Sequence, residues 1–198
     1  MSTSFLALHG HHSSIILEKA DRGLPIWRHW GRRIETSSTL PSWDATVPVP
    51  SFSLDQNQPL RLLPLFGQGW FGRSAVGAHR AQLDWALAQL PCEIKATDSR
   101  IDTTLTDQDA GIQLIHTLEI DKASDTITQR TCLTNIGETP LDVSHLSAGA
   151  LPLPSSSMCV ESFSGRHNNE FQPLSDHLSR SGWSRDNRRG LTSHDCPP

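Results

Sequence analysis

Several features that mark particular protein classes are missing from this sequence. No apolar run approaches the ~20 residues that a membrane helix needs. Residues 1–14 lack the positive start and the long apolar core of a signal peptide. The formal net charge is −4 with both signs interspersed, so no basic stripe suits a nucleic acid. We therefore expect a soluble, cytoplasmic protein with neither a membrane nor a nucleic-acid partner.

Cysteine is scarce, and no two cysteines form a C-x-x-C pair. A disulfide scaffold is shorter and denser in cysteine than this chain, which has 4 in 198 residues. We predict reduced thiols at Cys92, Cys132, Cys159 and Cys196.

A metal site is not expected either. Three imidazoles lie close together in the segment HGHH, from His9 to His12, and histidine is a common zinc ligand. No carboxylate or cysteine lies within ligand spacing of them, so we predict exposed, solvated side chains. The sequence thus predicts no metal and no cofactor.

The chain does contain a series of short strand-like segments separated by Gly, Asp and Pro. Residues 111–120 alternate apolar and polar side chains, residues 126–136 are rich in β-branched residues, and residues 100–107 are a predicted partner. The apolar face of the first segment holds Ile112, Leu114, Leu118 and Ile120, with His116 interrupting it. This spacing predicts an antiparallel meander.

The first part of the chain predicts a hairpin, with residues 13–18 and 24–34 as its strands and Gly23 in the turn. We find no internal repeat and no alternation of strands with helices. The pattern therefore predicts an all-β fold, a large antiparallel β-sandwich.

A glycine-rich segment with aromatic residues, FGQGWFG, runs from Phe66 to Gly72. It lacks the G-K-[ST] of a phosphate-binding loop. Its glycines favour a tight turn or a close backbone approach. Two interpretations stay open: a β-bulge with a buried Trp70, or an exposed aromatic platform for the face of a sugar.

The segment SFSGRHNNEFQP, residues 162–173, places Arg166 and Glu170 four positions apart between two aromatic residues. A glycosidase needs two carboxylates flanking the bond, about 5 to 10 Å apart, and Glu170 has no partner nearby in sequence. A structural Arg166–Glu170 bridge is therefore favoured over a catalytic Glu170.

The C-terminal segment is rich in arginine, with Arg185, Arg188 and Arg189 able to bind an anion. His194 and Asp195 resemble part of an acid–base set, but no G-x-S-x-G motif supplies a nucleophile. The segment ends with no closing strand or helix, so we expect that the sandwich continues beyond residue 198.

Taken together, the segments LSAGALPLP, FSGRHNNEF and SGWSRDNRRGLTSHDCPP resemble glycoside hydrolase family 36, the α-galactosidases. PIWRHWG and FGQGWFGRSA also fall where that family has its first hairpin and its glycine-aromatic segment. The matching positions are Gly165, Arg166, Glu170, Arg188, Arg189, Gly190, Thr192, Ser193, His194 and Pro197.

This resemblance implies a retaining α-galactosidase whose N-terminal β-sandwich precedes a catalytic (β/α)₈ barrel. A barrel alone needs ~250 residues, so residues 1–198 are expected to be the N-terminal, truncated sandwich, inactive alone. The resemblance further implies α-galactoside oligosaccharides as ligands and a homo-oligomeric enzyme. It places Asp55 and Trp70 among the substrate-binding residues, and Arg166, Glu170, Arg188 and His194 in structural roles.

Two alternatives remain. The six tryptophans suit a free-standing carbohydrate-binding sandwich. An unfinished sandwich would also be consistent with a truncated product that has no function of its own.

Overall fold

A computed structural model describes residues 4–34, 58–70, 72–83, 91–153, 158–178 and 183–186, with Arg166 described by its backbone only. The described residues form eleven β-strands, and every strand pairing is antiparallel. The predicted all-β, antiparallel architecture is confirmed. Within this part of the chain, no helix is long and apolar enough to cross a membrane.

The chain divides into two compact units, Met1–Pro152 and Leu153–Pro198. The sequence predicted a single truncated domain over residues 1–198, and that assignment stays a prediction. The first unit contains nine strands among its described residues: β1 (Phe5–His9), β2 (Ser13–Glu18), β3 (Ile26–Arg32), β4 (Val76–His79), β5 (Glu93–Ala96), β6 (Arg100–Asp107), β7 (Ile112–Ile120), β8 (Ile127–Asn135) and β9 (Asp142–Leu146).

These nine strands form three sheets. One sheet has the order β1-β2-β3, a four-stranded meander has the order β5-β6-β7-β8, and β4 pairs with β9. The first two sheets contribute to one hydrophobic core, which includes Leu8, Ile15, Leu17, Ile101, Leu114 and Leu118. Each of these aliphatic side chains stabilises the fold by about 2 kcal/mol through its removal from water.

Strand β7 shows why the meander was predictable. Ile112, Leu114, Leu118 and Ile120 are at most 2% exposed, whereas Gln113 and Glu119 are partly exposed. A period of two places alternate side chains on opposite faces of a strand. His116 lies on the buried face and is 0% exposed, so its polar ring is buried on the apolar side of the strand.

The predicted first hairpin is also confirmed. Strands β2 and β3 pair with a bulge between Ile16 and Leu17, and Gly23 lies in the connection with a φ of 77°. A side chain in that left-handed conformation is strained. A Cβ atom at Gly23 would also lie 3.3 Å from the Arg61 guanidinium.

The second unit is built on a hairpin of β10 (Cys159–Arg166) and β11 (Asn169–His177). Its register pairs Cys159 with His177 at the open end and Arg166 with Asn169 at the turn, with a register shift between Ser164 and Arg166. Of the residues after β11, Leu178 and 183–186 are described. The Trp183 indole N–H donates to Asp176 Oδ2 at 3.0 Å, and the Arg185 guanidinium donates to the Phe163 carbonyl.

Candidate functional site at the glycine-aromatic loop

The glycine-aromatic loop, residues 66–72 apart from Phe71, turns tightly on two left-handed glycines. Gly67 has a φ of 84° and Gly69 a φ of 76°. A Cβ atom at Gly69 would lie 2.9 Å from Gln58 Cγ. Both the backbone conformation and the close approach of Gln58 therefore require glycine at position 69.

Replacing Gly69 with alanine is expected to lower the free energy of unfolding by about 1 kcal/mol or more, since alanine is strained at positive φ. Gly31→Ala is the matched control, because a Cβ there meets only the His29 ring at an ordinary 3.6 Å. Thermal and denaturant melts of both variants measure the effect. Equal melting of Gly69→Ala and the parent chain would contradict the left-handed turn.

Hydrogen bonds hold the loop at both ends. The Phe66 amide donates to Ser74 Oγ at 3.1 Å, and the Ser74 hydroxyl donates to the Val76 carbonyl at 2.8 Å. The Ala75 amide donates to the Pro64 carbonyl at 2.7 Å. On the N-terminal side, Leu65 is 1% exposed in the core, so the loop projects from a fixed base.

Three buried polar atoms in the loop lack a hydrogen-bond partner among the described residues. They are both side-chain amide atoms of Gln68 and the indole Nε1 of Trp70. Gln68 is 5% exposed, while Trp70 is half-buried. An unpaired buried polar group costs about 1–3 kcal/mol, so a bound water, ligand or partner segment that reaches these atoms would be stabilised.

A cation lies beside this cluster. Arg61 donates through Nη1 to the carbonyls of Arg22 at 3.1 Å and Leu24 at 2.7 Å. A Cβ at Gly23 would lie within 3.6 Å of both the Arg61 guanidinium and Gln68 Nε2, so both side chains lie beside the Gly23 turn. Burial lowers the pKa of Arg61 from its ordinary value.

The loop combines features of both interpretations of Trp70, the buried ring and the exposed platform. Its ring is half-buried and Phe66 is 58% exposed, so the loop offers one aromatic ring that is open to solvent and one that is partly covered. Asp55, the other predicted substrate-binding residue, lies outside the described residues, as do Arg188 and His194.

The turn of the second unit, the hairpin tip Gly165–Phe171, uses Glu170 in a way that the sequence did not predict. The Glu170 carboxylate accepts from the Asn168 amide at 3.0 Å and lies 3.8 Å from His167 Nδ1. Asn168 has a φ of 71° and Phe171 a φ of 53°. Asparagine tolerates this left-handed conformation, and a carboxylate that accepts from the turn stabilises it.

The expected Arg166–Glu170 bridge stays a prediction, because the Arg166 side chain lies outside the described part of the hairpin. The two flanking aromatic rings are described. Phe163 and Phe171 meet edge to face, with centroids 6.5 Å apart. They are 49% and 56% exposed, so the hairpin presents an aromatic surface of its own.

The HGHH segment forms the turn between β1 and β2. His9 Nδ1 lies 2.9 Å from Ser14 Oγ, and the Asp125 carboxylate accepts from the His12 and Ser13 amides at 3.0 and 3.2 Å. His9 and His11 line a cavity of about 340 Å³. No group of three or more metal-binding side chains occurs where the structure is described.

The family model described as the glycosyl hydrolase family 36 N-terminal domain matches residues 23–198. The chain belongs to this family. The resemblance drawn from the sequence motifs is thereby confirmed.

Relatives of this family 36 domain are much longer proteins. An Escherichia coli α-galactosidase is 27% identical over all 198 residues, which span 27% of its length. The α-galactosidase AgaA of Geobacillus stearothermophilus superposes with a TM-score of 0.76 at 15% identity, over 98% of this chain and 31% of that one. A Lactobacillus brevis α-galactosidase gives a TM-score of 0.68 at 19% identity, over 88% of this chain and 27% of that one.

The structural likenesses establish the fold of the family 36 domain and nothing more, since all are below 25% identity. A variant of AgaA was crystallised in complex with stachyose and another with raffinose. The chain spans less than a third of the relatives that it matches, so the activity of the whole enzyme is considered below as a proposal.

The motif LSAGALPLP has a clear structural role in the family 36 domain. The Ala150 amide donates to the Leu62 carbonyl at 3.1 Å, and the Ser147 amide donates to the Ala75 carbonyl at 2.8 Å. The Thr131 hydroxyl donates to the Ala148 carbonyl at 2.8 Å. The segment therefore ties β8 to the stretches on either side of the glycine-aromatic loop.

Beneath this segment, the buried His116 ring contacts β8. Its Nδ1 lies 3.0 Å from Thr131 Oγ1. The direction of this hydrogen bond depends on which ring nitrogen carries the proton. His116 Nε2 and Gln129 Oε1 are both buried, and a proton on Nε2 would let the ring donate to Gln129.

Burial lowers the pKa of His116 from the ordinary 6.5 to about 4, although Gln129 partly opposes the effect. His116 is therefore neutral in the folded domain near pH 7. The sequence placed it on the apolar face, but its polar neighbours Gln129 and Thr131 lie on the next strand, β8.

Proposed function

We propose that this chain is the non-catalytic N-terminal part of a retaining α-galactosidase that hydrolyses terminal α-galactosyl residues of oligosaccharides. The observation that carries the proposal is the match of the family 36 N-terminal domain to residues 23–198. The α-galactosidase relatives are consistent with it, as are the complexes of AgaA variants with raffinose and stachyose. Its cytoplasmic location stays a prediction from the sequence.

Within that enzyme, the sandwich supports homo-oligomer assembly and contributes to the rim of the active site. We assign the rim to the segment from Asp55 to Trp70. The fixed base of the glycine-aromatic loop, the partly exposed Trp70 ring and the unpaired Gln68 amide support this assignment. An aromatic ring packs on the C–H face of a sugar while amide groups bond its hydroxyls.

Arg166, Glu170, Arg188 and His194 have structural roles in this proposal. Glu170 supports that role with its carboxylate, which accepts from the backbone of its own turn. A catalytic carboxylate would instead face a second carboxyl group across the scissile bond.

The purified 198-residue chain is expected to release no p-nitrophenol from p-nitrophenyl α-galactoside above the uncatalysed rate. The physical reason is that retaining hydrolysis needs a nucleophile and an acid/base pair, and the proposal places both in a barrel that this chain does not hold. The E. coli α-galactosidase is the positive control. Turnover that survives repeated purification would overturn the non-catalytic assignment.

The six tryptophans favour one second candidate, a free-standing carbohydrate-binding module. Calorimetry of the chain with galactose, melibiose and raffinose separates the two. A saturable heat of sugar binding that Trp70→Ala abolishes would support the binding module. No heat of binding with any of the three sugars would exclude it. A chain that fails to melt cooperatively would favour the remaining alternative, a truncated product without function.

A further inference from the structure

The open end of the β10–β11 hairpin brings a thiol and an imidazole together. Cys159 and His177 are cross-strand partners, and Cys159 Sγ lies 3.1 Å from His177 Nδ1. Both residues are exposed to solvent. A nucleophile within hydrogen-bond reach of a base is the arrangement that activates cysteine for attack on an electrophile.

The other described cysteines lack this arrangement. Cys132 is exposed on β8, and its described neighbour is the Thr134 hydroxyl at 4.0 Å, which is no base. Cys92 is partly buried, and that burial raises the pKa of its thiol to about 11. Of the three, Cys159 alone combines exposure with a neighbouring base.

We infer that Cys159 is a site of reversible thiolation by low-molecular-weight disulfides, with His177 as the base that activates it. The His177 imidazole accepts the thiol proton as the Cys159 sulfur attacks one sulfur of the disulfide. A Cys159–S–S–R bond forms, the R–S–S–R bond breaks, and the leaving thiolate takes the proton back from the imidazolium. The Cys159 thiol is oxidised to a mixed disulfide, and one R–S group is reduced to R–SH.

The hairpin geometry favours this chemistry over a purely structural hydrogen bond. Thiol–disulfide exchange needs the thiolate and open access to the attacking sulfur, and both partners lie at the exposed end of the strands. Antiparallel pairing keeps opposite Cβ atoms about 5 Å apart, so the two side chains meet without the ordering of a loop. A second thiol that attacks the mixed disulfide restores Cys159.

The test is the rate at which each cysteine of the full 198-residue chain reacts with oxidised glutathione. Samples are quenched with acid at intervals, and peptide mass spectrometry assigns the modification to each cysteine. At pH 7 we expect Cys159 to react about fivefold faster than Cys132, or more. His177→Gln is expected to bring Cys159 to the rate of Cys132 and to leave Cys132 unchanged.

His167→Gln is the matched control, since it makes the same change on the same hairpin at a side chain that is 96% exposed.

A pH profile of the reaction distinguishes a base from a structural neighbour. Near pH 10, where ordinary thiols are ionised, the rates of Cys159 thiolation with and without His177 should converge. Loss of the hairpin fold would be recognised, because Cys159 would then react as it does in the guanidinium-unfolded chain. Equal rates at Cys159 and Cys132, or a His177→Gln rate within twofold of the parent, would overturn the inference.

Discussion

Replacing Arg80 with methionine is expected to lower the free energy of unfolding of the first unit by about 3 kcal/mol. The Arg80 guanidinium, just after β4, connects two turns that lie far apart in sequence. It donates through Nε to the Ala110 carbonyl at 2.9 Å and through Nη2 to the Gly111 carbonyl at 3.0 Å. It also donates to Asn135 Oδ1 at 2.5 Å and to Thr139 Oγ1 at 3.0 Å.

Methionine keeps the apolar stem of Arg80 as far as the position of Nε but removes every one of these donors. The carbonyls of Ala110 and Gly111 then lose charge-assisted bonds, which are worth about 1.5–3 kcal/mol each and do not add fully. Glycine at positions 111 and 137 permits the approach, since a Cβ at either would lie within 3.0 Å of Arg80 Nη2.

Denaturant unfolding followed by tryptophan fluorescence measures the loss. Arg130→Met is the matched control, because Arg130 is exposed on β8 and its removal is expected to change the stability by less than about 0.5 kcal/mol. If the two variants were equally stable, Arg80 would be a surface side chain whose bonds contribute nothing.

The sandwich was predictable where neighbours in sequence are also neighbours in space. Strand β6 has the bounds that the sequence suggested, and the predicted apolar positions of β7 are buried because a period of two is visible in ten residues. The position of the β2–β3 connection could be predicted from Gly23, because glycine adopts the left-handed conformation of a tight turn without strain.

The contacts that join distant segments were not predictable in the same way. Arg80 stands in an unremarkable stretch, AHRAQ, and its partners lie 30 to 60 positions further along the chain. Asp125 likewise accepts from the His12 amide across 113 positions. No local pattern encodes such pairs, because they depend on how the sheets bring turns together.

The tight turn of the glycine-aromatic loop was predicted from its glycines, whereas substrate binding by Trp70 stays a prediction. The burial of Gln68 was not visible, since a polar residue between two glycines reads as a solvated turn. Glu170 was assigned to a bridge with Arg166 from their spacing of four, but its carboxylate also accepts from the turn backbone only two residues away. Spacing in sequence suggests which groups are near, and the backbone conformation then decides where each one points.

Acidification from pH 7.5 to pH 5 is expected to lower the free energy of unfolding of the first unit by about 2 kcal/mol through His116 alone. By pH 4 the loss is expected to reach about 3 kcal/mol. The pKa of His116 is about 4 in the folded protein, against an ordinary 6.5 that the unfolded chain should have. Between these two values the unfolded state binds a proton that the folded state does not. The stability is therefore complete above pH 6.5 and declines as the pH falls towards 4.

Guanidinium unfolding at pH 7.5, 6.5, 5.5 and 5.0 tests this, with His116→Gln as the variant and His11→Gln as the matched control. His116→Gln is expected to be less stable at pH 7.5, because it disturbs the bond to Thr131 Oγ1, yet to lose about 2 kcal/mol less on acidification than the parent. His11 is exposed, and its variant is expected to follow the parent curve.

The range from pH 5.0 to pH 7.5 lies above the range where ordinary carboxylates titrate. The difference in pH-dependent unfolding free energy between the two variants therefore reports on the buried ring alone. Parallel curves for His116→Gln and the parent would mean that the core admits the imidazolium, and the lowered pKa of His116 would then be wrong.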